Sequence, residues 1–366
     1  MGNILIATVG TSIITNIKRN LGENVNKDSI KKYLSLMNLD EREMGAEINS
    51  IYNLINRDKI NPDIFYLLVS DTDDGQLTGQ VINDILMERM NFRTGENIII
   101  EGLNSEKENE FARKGLRNLV AQCAEIISKH NPNDIIITPI GGFKAQIFMT
   151  GLLAQVFGIK SYYMFEAFNE VIELMPLPIS FDYELFSRNI EFFTLLAGKN
   201  EMIELSEVSG IIEKEPILKN LIKEEKIDGK KYVEFSAIGE VFYNRFAIES
   251  KRTLPKDSNN IKNFEKDFTY NESEENSKAS LKDGKLMKFL REVHKRPYVE
   301  KIITNYFNPK GKGSIVRFSK SSNKEEGRVI KLEYNNSNGI NGFIVYTTAE
   351  NEKEIDAAII DLRELI

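Results

Sequence analysis

Short apolar runs alternate with amphipathic segments through the first half of the chain. Between the runs, segments such as residues 28–56 and 108–130 carry apolar residues at helical spacing. Strands that are apolar on both faces and alternate with helices indicate a parallel sheet covered on both sides. We therefore predict an α/β domain over residues 1–178. The apolar runs, each predicted to be a buried strand, are residues 3–9, 63–69, 97–100 and 134–138.

Three loops that follow these predicted strands are polar and contain glycine: residues 10–12, 70–75 and 139–144. In open α/β sheets, ligands bind beyond the carboxyl ends of the strands. Glycine lets the backbone approach a phosphate closely, and a helix that begins there offers N–H groups to an anion. Hydroxyl groups of Thr11 and Ser12 and the Lys144 cation add donors. Ordinary tight turns remain the alternative interpretation.

The middle of the chain has a different pattern. Residues 183–196 have helical spacing, residues 227–235 predict a hairpin around Asp228-Gly229, and residues 238–248 predict a helix. Helices beside a hairpin indicate a winged-helix-like segment over residues 179–251. The alternative is a helical dimerisation or spacer module, because the segment has no basic excess. Residues 252–283 are rich in polar residues and are predicted to be a linker.

The last segment, residues 284–366, predicts a small α+β domain. We expect two helices, then an antiparallel sheet, then a final helix. Residues 281–366 hold 16 Lys and Arg against 12 Asp and Glu, whereas the whole chain has a net charge of −7. A basic module on an acidic body suggests contact with a polyanion. The predicted helices are residues 285–293, 299–307 and 352–365, and the predicted strands are residues 314–319, 328–334 and 342–347.

Composition excludes several classes of protein. One cysteine, Cys123, rules out an internal disulfide framework and fits a reducing cytoplasm. Two histidines, His130 and His294, make a catalytic zinc site improbable, and we expect no metal or other cofactor. The first residues read as a strand and not as a signal peptide, and no run of 18 apolar residues predicts a membrane span.

The loop sequences resemble a known family. The strand followed by Gly-Thr-Ser, the Ser-Asp-Thr-Asp-Asp-Gly loop and the Ile-Gly-Gly-Phe-Lys turn are similar to those of CARF domains, the CRISPR-associated Rossmann-like sensors. The resemblance covers residues 1 to about 175. It implies a homodimer that binds a cyclic oligoadenylate across its two-fold axis, most commonly cyclic tetra-adenylate. The ligand-binding residues that it implies are Gly10, Thr11, Ser12, Asp71, Thr72, Gly141, Gly142 and Lys144.

Some CARF proteins also cleave their activator by attack of a ribose 2′-OH, without a metal. Ser12 and Lys144 match the residue types used for that reaction, so the resemblance extends to a ring nuclease activity. Binding without cleavage is the alternative. A third possibility is a ligand-responsive regulator that binds DNA through the winged-helix-like segment, although the acidic charge of residues 1–280 counts against it.

The basic module, residues 284–366, suggests which activity the sensor controls. The Arg-x(4–6)-His motif of one RNase type that is often fused to such sensors is absent around His130 and His294. The predicted layout is similar to the RelE fold, although a C-terminal helix replaces the usual strand and tail. That resemblance implies metal-independent cleavage of RNA, in particular ribosome-bound mRNA. A basic binding module without catalysis is the alternative. The implied catalytic residues are Arg317, Arg328, Lys331 and Tyr346, and the implied RNA-binding residues are Lys310, Lys312 and Lys320.

Overall fold

The computed structural model of the chain describes seven stretches of residues: 2–22, 25–164, 171–197, 202–270, 283–311, 316–321 and 329–366. These residues form two compact units, Met1–Ser180 and Phe181–Ile366. In the described stretches, no helix combines the length and the hydropathy that crossing a membrane requires.

The first unit is built on a six-stranded sheet with the order β3-β2-β1-β4-β5-β6. The first five strands in this order run parallel, and β6 is antiparallel to β5. The predicted α/β class with a mainly parallel sheet is confirmed, and the strand order is compatible with a Rossmann-like fold. The strands are β1 (Asn3–Thr8), β2 (Pro62–Ser70), β3 (Thr94–Ile100), β4 (Ile135–Thr138), β5 (Lys160–Met164) and β6 (Val171–Leu174).

Helices cover both faces of this sheet, which explains why its central strands are apolar throughout. On one face, Leu5, Ala7 and Val9 pack with buried residues of the first four helices, such as Ile13 and Ile48. The last two helices contact each other and the sheet. The helices are α1 (Ser12–Leu21), α2 (Lys27–Ser35), α3 (Ala46–Asn56), α4 (Asp73–Arg89), the single turn α5 (Glu108–Glu110), α6 (Leu116–Lys129) and α7 (Lys144–Val156).

The second unit contains two sheets. The smaller one comprises β7 (Ile203–Glu204), β8 (Ile222–Ile227) and β9 (Lys230–Phe235) in the order β7-β9-β8. The predicted hairpin is confirmed: Asp228 (φ 49°) and Gly229 (φ 83°) form a two-residue turn with positive φ at both positions, as a type I′ turn requires. The larger sheet, in the order β10-β11-β14-β13-β12, comprises β10 (Phe268–Thr269), β11 (Val299–Asn308), β12 (Val316–Lys320), β13 (Val329–Asn336) and β14 (Gly339–Thr347).

One hydrophobic core runs through the whole second unit. It joins Phe186 and Phe193 of the middle segment to Phe318 and Phe343 of the larger sheet. The boundaries expected at 251/252 and 283/284 therefore fall inside one packed unit. The helices of this unit are α8 (Tyr183–Arg188), α9 (Ile190–Leu196), α10 (Ser209–Lys214), α11 (Ala237–Ser250), α12 (Phe264–Asp267), α13 (Gly284–Lys295) and α14 (Glu352–Arg363).

The helix predicted over residues 299–307 is wrong, because these residues form strand β11. Val299 and Ile302 are both buried although they are three positions apart, a spacing that suggested a helix. A register shift between Val299 and Lys301 in the pairing with β14 accounts for that spacing, and a second shift follows between Thr304 and Tyr306. The layout of two helices before the sheet, on which the RelE resemblance rested, is thereby corrected to one helix, α13.

Part of the predicted linker is structured. Within residues 252–270, α12 and β10 form, and β10 pairs in parallel with β11. The buried ring of His294 donates from Nε2 to the carboxylate of Asp267 at 2.8 Å. The first part of the linker is therefore an integral edge of the larger sheet, while residues 271–282 lie outside the described stretches.

Candidate functional site

The loops after β1 and β4 meet at the centre of the first sheet. Because β1 and β4 are parallel neighbours, both loops leave the same edge, at the point where the strand order reverses. A Cβ atom on Gly10 would lie 2.6 Å from the backbone N of Gly142, and one on Gly141 would lie 2.6 Å from the N of Gly10. Glycine at these positions therefore lets the two loops pack backbone against backbone.

A buried carboxylate fills the space between these loops. Glu47, in the first turn of α3, is only 3% exposed. Its Oε1 accepts the N–H of Gly10 at 2.7 Å, and its Oε2 lies 3.5 Å from Oγ of Ser12. A Cβ atom on Gly141 would lie 1.9 Å from Oε1. The glycines that were predicted to contact a phosphate thus leave room for the side chain of Glu47, a residue that sequence reasoning did not identify.

Two helix N-termini reach the same edge of the sheet. Helix α1 begins at Ser12, directly after Thr11, and both residues are partly exposed. Helix α7 begins at Lys144, which is exposed beside the exposed Gly142. The first turns read Ser-Ile-Ile-Thr and Lys-Ala-Gln-Ile, without the acidic side chains that usually favour this end of a helix. The accessible rim of the site can therefore attract an anion.

Asp71 and Thr72 have structural partners. Thr72 Oγ1 accepts the N–H of Gly75 at 3.1 Å and so caps α4, and Oδ2 of Asp71 accepts the N–H of Gly102 at 3.2 Å. Asp73 and Asp74 complement the dipole of the same helix. The β2 loop is thus stabilised by its own residues, and the positively polarised rim lies at α1 and α7.

A buried glutamine fixes the loop after β4. Gln146 is fully buried; its Oε1 accepts the N–H of Phe143 at 3.3 Å, and its Nε2 donates to the carbonyl of Leu68 at 3.1 Å. The loop is thereby tied to β2 on the far side of β1. The bond to Phe143 is a local contact, of the kind that Gln makes at the third position of a helix, whereas the bond to Leu68 spans 78 positions and leaves no pattern in the sequence.

In the second unit, the larger sheet has one face in the core and one that is partly open. Lys331 and Tyr346 lie on the open face, on the neighbouring strands β13 and β14, where Lys331 pairs with Ile344. The exposed Lys301 of β11 joins them, with Nζ 4.2 Å from the centre of the Tyr346 ring. Two members of this group of two cations and a phenol were predicted; the third, Lys301, was not, because it had been assigned to a helix.

Arg317 and Lys320, on the edge strand β12, are engaged in ion pairs within the unit. The guanidinium of Arg317 contacts Glu191 at 2.8 Å and Glu207 at 3.4 Å. Lys320 contacts Asp356 at 2.8 Å and Glu352 at 2.9 Å. These contacts give both cations a structural role that their sequence environment did not indicate.

The other predicted residues of the basic module are placed as follows. Lys310 is exposed in the turn after β11. Lys312 and Arg328 lie outside the described residues. Of the seven residues predicted to cut or bind RNA, the structure therefore groups Lys331 and Tyr346 on one face and holds Arg317 and Lys320 in ion pairs.

Comparison with known proteins identifies one related family. Residues 42–178 match the model of a family described as CRISPR-associated protein (Cas_APE2256). The match covers less than half of the chain. It includes Glu47 and the loops after β2 and β4, and it ends before the second unit begins. No curated protein matches the chain. The family match supports an association of this protein with CRISPR systems.

Proposed function

We propose that this protein is a ribonuclease of CRISPR antiviral defence that a cyclic oligoadenylate activates. The observation that carries the proposal is the meeting of two glycine loops and two helix N-termini at the edge of the sheet in the first unit. There, Lys144 and the N-terminus of α7 offer positive charge to a phosphate. The match to a CRISPR-associated family over residues 42–178 supports this assignment.

The activator that we favour is cyclic tetra-adenylate, and the assembly is a homodimer. A cyclic ligand with repeated, equivalent nucleotides suits a two-fold pocket, in which each protomer supplies the same loops. In that arrangement Ser12, Gly142 and Lys144 face the ligand. Gly10 and Gly141 contribute indirectly, because the absence of a side chain at these positions leaves room for the carboxylate of Glu47.

The proposed RNase site is the open face formed by Lys301, Lys331 and Tyr346. The ribose 2′-oxygen attacks the adjacent phosphorus, the bond to the 5′-oxygen breaks, and the products are a 2′,3′-cyclic phosphate and a 5′-hydroxyl. A base removes the 2′-proton and an acid protonates the leaving 5′-oxygen, tasks that a phenol and an amine can share. The two lysines stabilise the extra negative charge of the phosphorane. The expected substrate is mRNA, in particular mRNA bound to ribosomes.

The direct test is RNA cleavage by the full chain, with and without cyclic oligoadenylates of different ring sizes. We expect cleavage only with the ring that also raises the melting temperature of the protein, by mass action. Lys144→Ala should remove both effects, because this exposed cation contributes to ligand binding and not to the core. The test includes free RNA, ribosome-bound mRNA and duplex DNA. Ligand-dependent retardation of the DNA without RNA cleavage would favour a transcription regulator instead.

Cleavage of the activator is a second candidate activity of the first unit. It is favoured by the position of Ser12, whose partly exposed hydroxyl lies beside the buried Glu47 carboxylate while Lys144 occupies the rim. Chromatography of the ring after incubation tests it. Lys144→Ala should abolish turnover and Arg328→Ala should leave it intact. Equal turnover by the wild type and Lys144→Ala would remove this candidate.

A further inference from the structure

A buried carboxylate forms the inner wall of the candidate pocket in the first unit. Glu47 is nearly inaccessible, and its Oε1 accepts the N–H of Gly10, a donor that a bound phosphate would otherwise use. A phosphate placed against this wall would find this donor already engaged and would meet carboxylate oxygens, which accept hydrogen bonds as its own oxygens do.

Ser12 connects this buried carboxylate to the accessible part of the pocket. Its Oγ lies 3.5 Å from Oε2 of Glu47, and a carboxylate can only accept, so the hydroxyl hydrogen is directed inward. A hydroxyl that donates its only hydrogen inward presents lone pairs outward. Ser12 is partly exposed, whereas Glu47 is not, so any effect of the carboxylate on a ligand passes through Ser12.

We propose that Glu47 is a positioning residue that sets Ser12 as a hydrogen-bond acceptor for a ribose 2′-hydroxyl of the cyclic ligand. The wall at Glu47 and Ser12 then receives the sugar, and the rim at Gly142 and Lys144 receives the phosphate. The arrangement selects ribonucleotide rings over rings that lack a 2′ donor. This inference rests on the proposed function, since it assigns an orientation to the ligand of that same site.

A purely structural role for Glu47 gives a different expectation. If the carboxylate only joins the loops through Gly10, its loss weakens the binding of every ring by the same factor. If it also sets Ser12, its loss removes the discrimination between rings with and without a 2′ donor. The ratio of two affinities therefore separates the two roles, while a single affinity does not.

The experiment compares cyclic tetra-adenylate with its 2′-fluoro analogue, in which fluorine replaces the hydroxyl donor and keeps a ribose-like sugar conformation. Binding to the full chain is measured by calorimetry, and chromatography verifies that the ring stays intact. For the wild type we expect at least about tenfold weaker binding of the 2′-fluoro ring, the effect of one hydrogen bond in a partly buried site. For Glu47→Gln and Ser12→Ala we expect the two rings to bind within about threefold of each other.

Three features of the design keep the test independent of folding. Glu47→Gln retains an oxygen that can accept the N–H of Gly10, and its melting temperature is measured alongside. Ser12→Ala leaves Glu47 and its bond to Gly10 in place. Glu125→Gln, a change at an exposed carboxylate that pairs with Lys129, should keep the wild-type ratio.

The possible results distinguish failure of the proposed function from failure of the inference about Glu47. If the wild type binds neither ring nor any other cyclic oligoadenylate, the proposed function fails and the inference fails with it. If the wild type binds both rings equally, the sensor function stands and the inference is overturned. If Glu47→Gln and Ser12→Ala keep the wild-type ratio, the inference is likewise overturned, and Glu47 is left with a structural role alone.

Discussion

Nζ of Lys320 lies 2.8 Å from Oδ1 of Asp356, whose side chain is 3% exposed. The pair joins the edge strand β12 to the last helix, α14. Oγ of Ser187 donates to Asp356 at 2.6 Å and accepts from Lys320 at 2.6 Å, which brings α8 into the same cluster. Three segments that are far apart in the chain are thus held by one buried carboxylate and one cation.

Removing the cation should destabilise the second unit. Lys320→Met leaves Asp356 buried without its opposite charge, and breaking one side of a buried pair costs about 3–5 kcal/mol. We expect the lower end of this range, because Lys320 is 22% exposed and Asp356 can take up a proton. Urea unfolding measures the change. Lys295→Met, which removes an exposed pair with Glu292, is the control and should change stability by less than about 1 kcal/mol.

Asp356 should also give the protein a specific dependence on pH. Burial raises the pKa of Asp356 above its ordinary value of 3.8, although Lys320, Ser187 and Tyr183 oppose the shift. In the window between 3.8 and the folded-state pKa, the folded protein holds a proton that the unfolded chain has lost. The free energy of unfolding therefore falls as pH rises through this window. Asp356→Asn should lack that slope when unfolding is measured from about pH 4 upward.

Asp267 provides the opposite case and serves as the control. Burial tends to raise the pKa of its carboxyl group, but hydrogen bonds from the N–H of Asn263 and from His294 outweigh burial and lower it. Its contribution to stability is present above the unfolded pKa and is lost as pH falls through the lower folded pKa. Asp267→Asn should thus flatten the acid side of the curve. If both variants show the same profile, the assignment of the two slopes is wrong.

The packing of the two glycine loops predicts that substitution by alanine has opposite effects on stability at two glycines of the first unit. Gly141→Ala would place Cβ 1.9 Å from Oε1 of Glu47 and 2.6 Å from the backbone of Gly10, so we expect a loss of at least about 1–3 kcal/mol in stability. Gly151→Ala, within α7, meets nothing within 4 Å and should stabilise by up to about 1 kcal/mol. Thermal unfolding of both variants checks this, and equal melting temperatures would contradict the close approach.

Sequence patterns predicted correctly those elements whose structure depends mainly on residues close together in the chain. The buried strand β1 follows from a run of apolar residues, and the hairpin at Asp228 and Gly229 follows from two residues that tolerate positive φ. Strand β11 was mistaken for a helix, because a register shift places Val299 and Ile302 at helical spacing. This register shift depends on the pairing with the partner strand, so the sequence of β11 alone did not predict it.

Long-range contacts explain what the sequence could not show at the candidate sites. Glu47 binds a loop 37 positions earlier, and nothing near Glu47 distinguishes it from the acidic residues that ordinarily begin helices. Arg317 contacts Glu191 and Glu207, which are 126 and 110 positions away. A count of basic residues identified the module, but only the fold shows that Arg317 and Lys320 pair with acidic residues that lie far from them in the chain.

The single cysteine should be inert in the folded protein. Cys123 is fully buried, and burial raises the pKa of its thiol to about 12. Because the thiolate is the reactive form, a disulfide reagent should label the native protein far more slowly than the protein in urea. No second thiol complicates the measurement, since the chain has one cysteine. Labelling at equal rates in both states would show that this part of α6 opens readily.

The open face and the edge strand of the larger sheet should respond differently to substitution. Tyr346→Phe and Lys331→Met should lower RNA cleavage by about 10²-fold or more, the effect of losing a proton-transfer or charge-stabilising group. Their melting temperatures should stay close to that of the wild type, because both residues are only partly buried. Arg317→Met should lower the melting temperature instead, since Glu191 and Glu207 lose their shared partner.

The comparison requires activity per folded molecule, so cleavage is measured below the melting temperature of each variant. Lys301→Met tests the cation over the Tyr346 ring, and it should reduce cleavage with little change in stability, because an exposed cation–π contact contributes only about 0.5–1 kcal/mol. If Arg317→Met stays folded and loses all cleavage while Tyr346→Phe keeps it, the site lies at the edge strand and not on the open face.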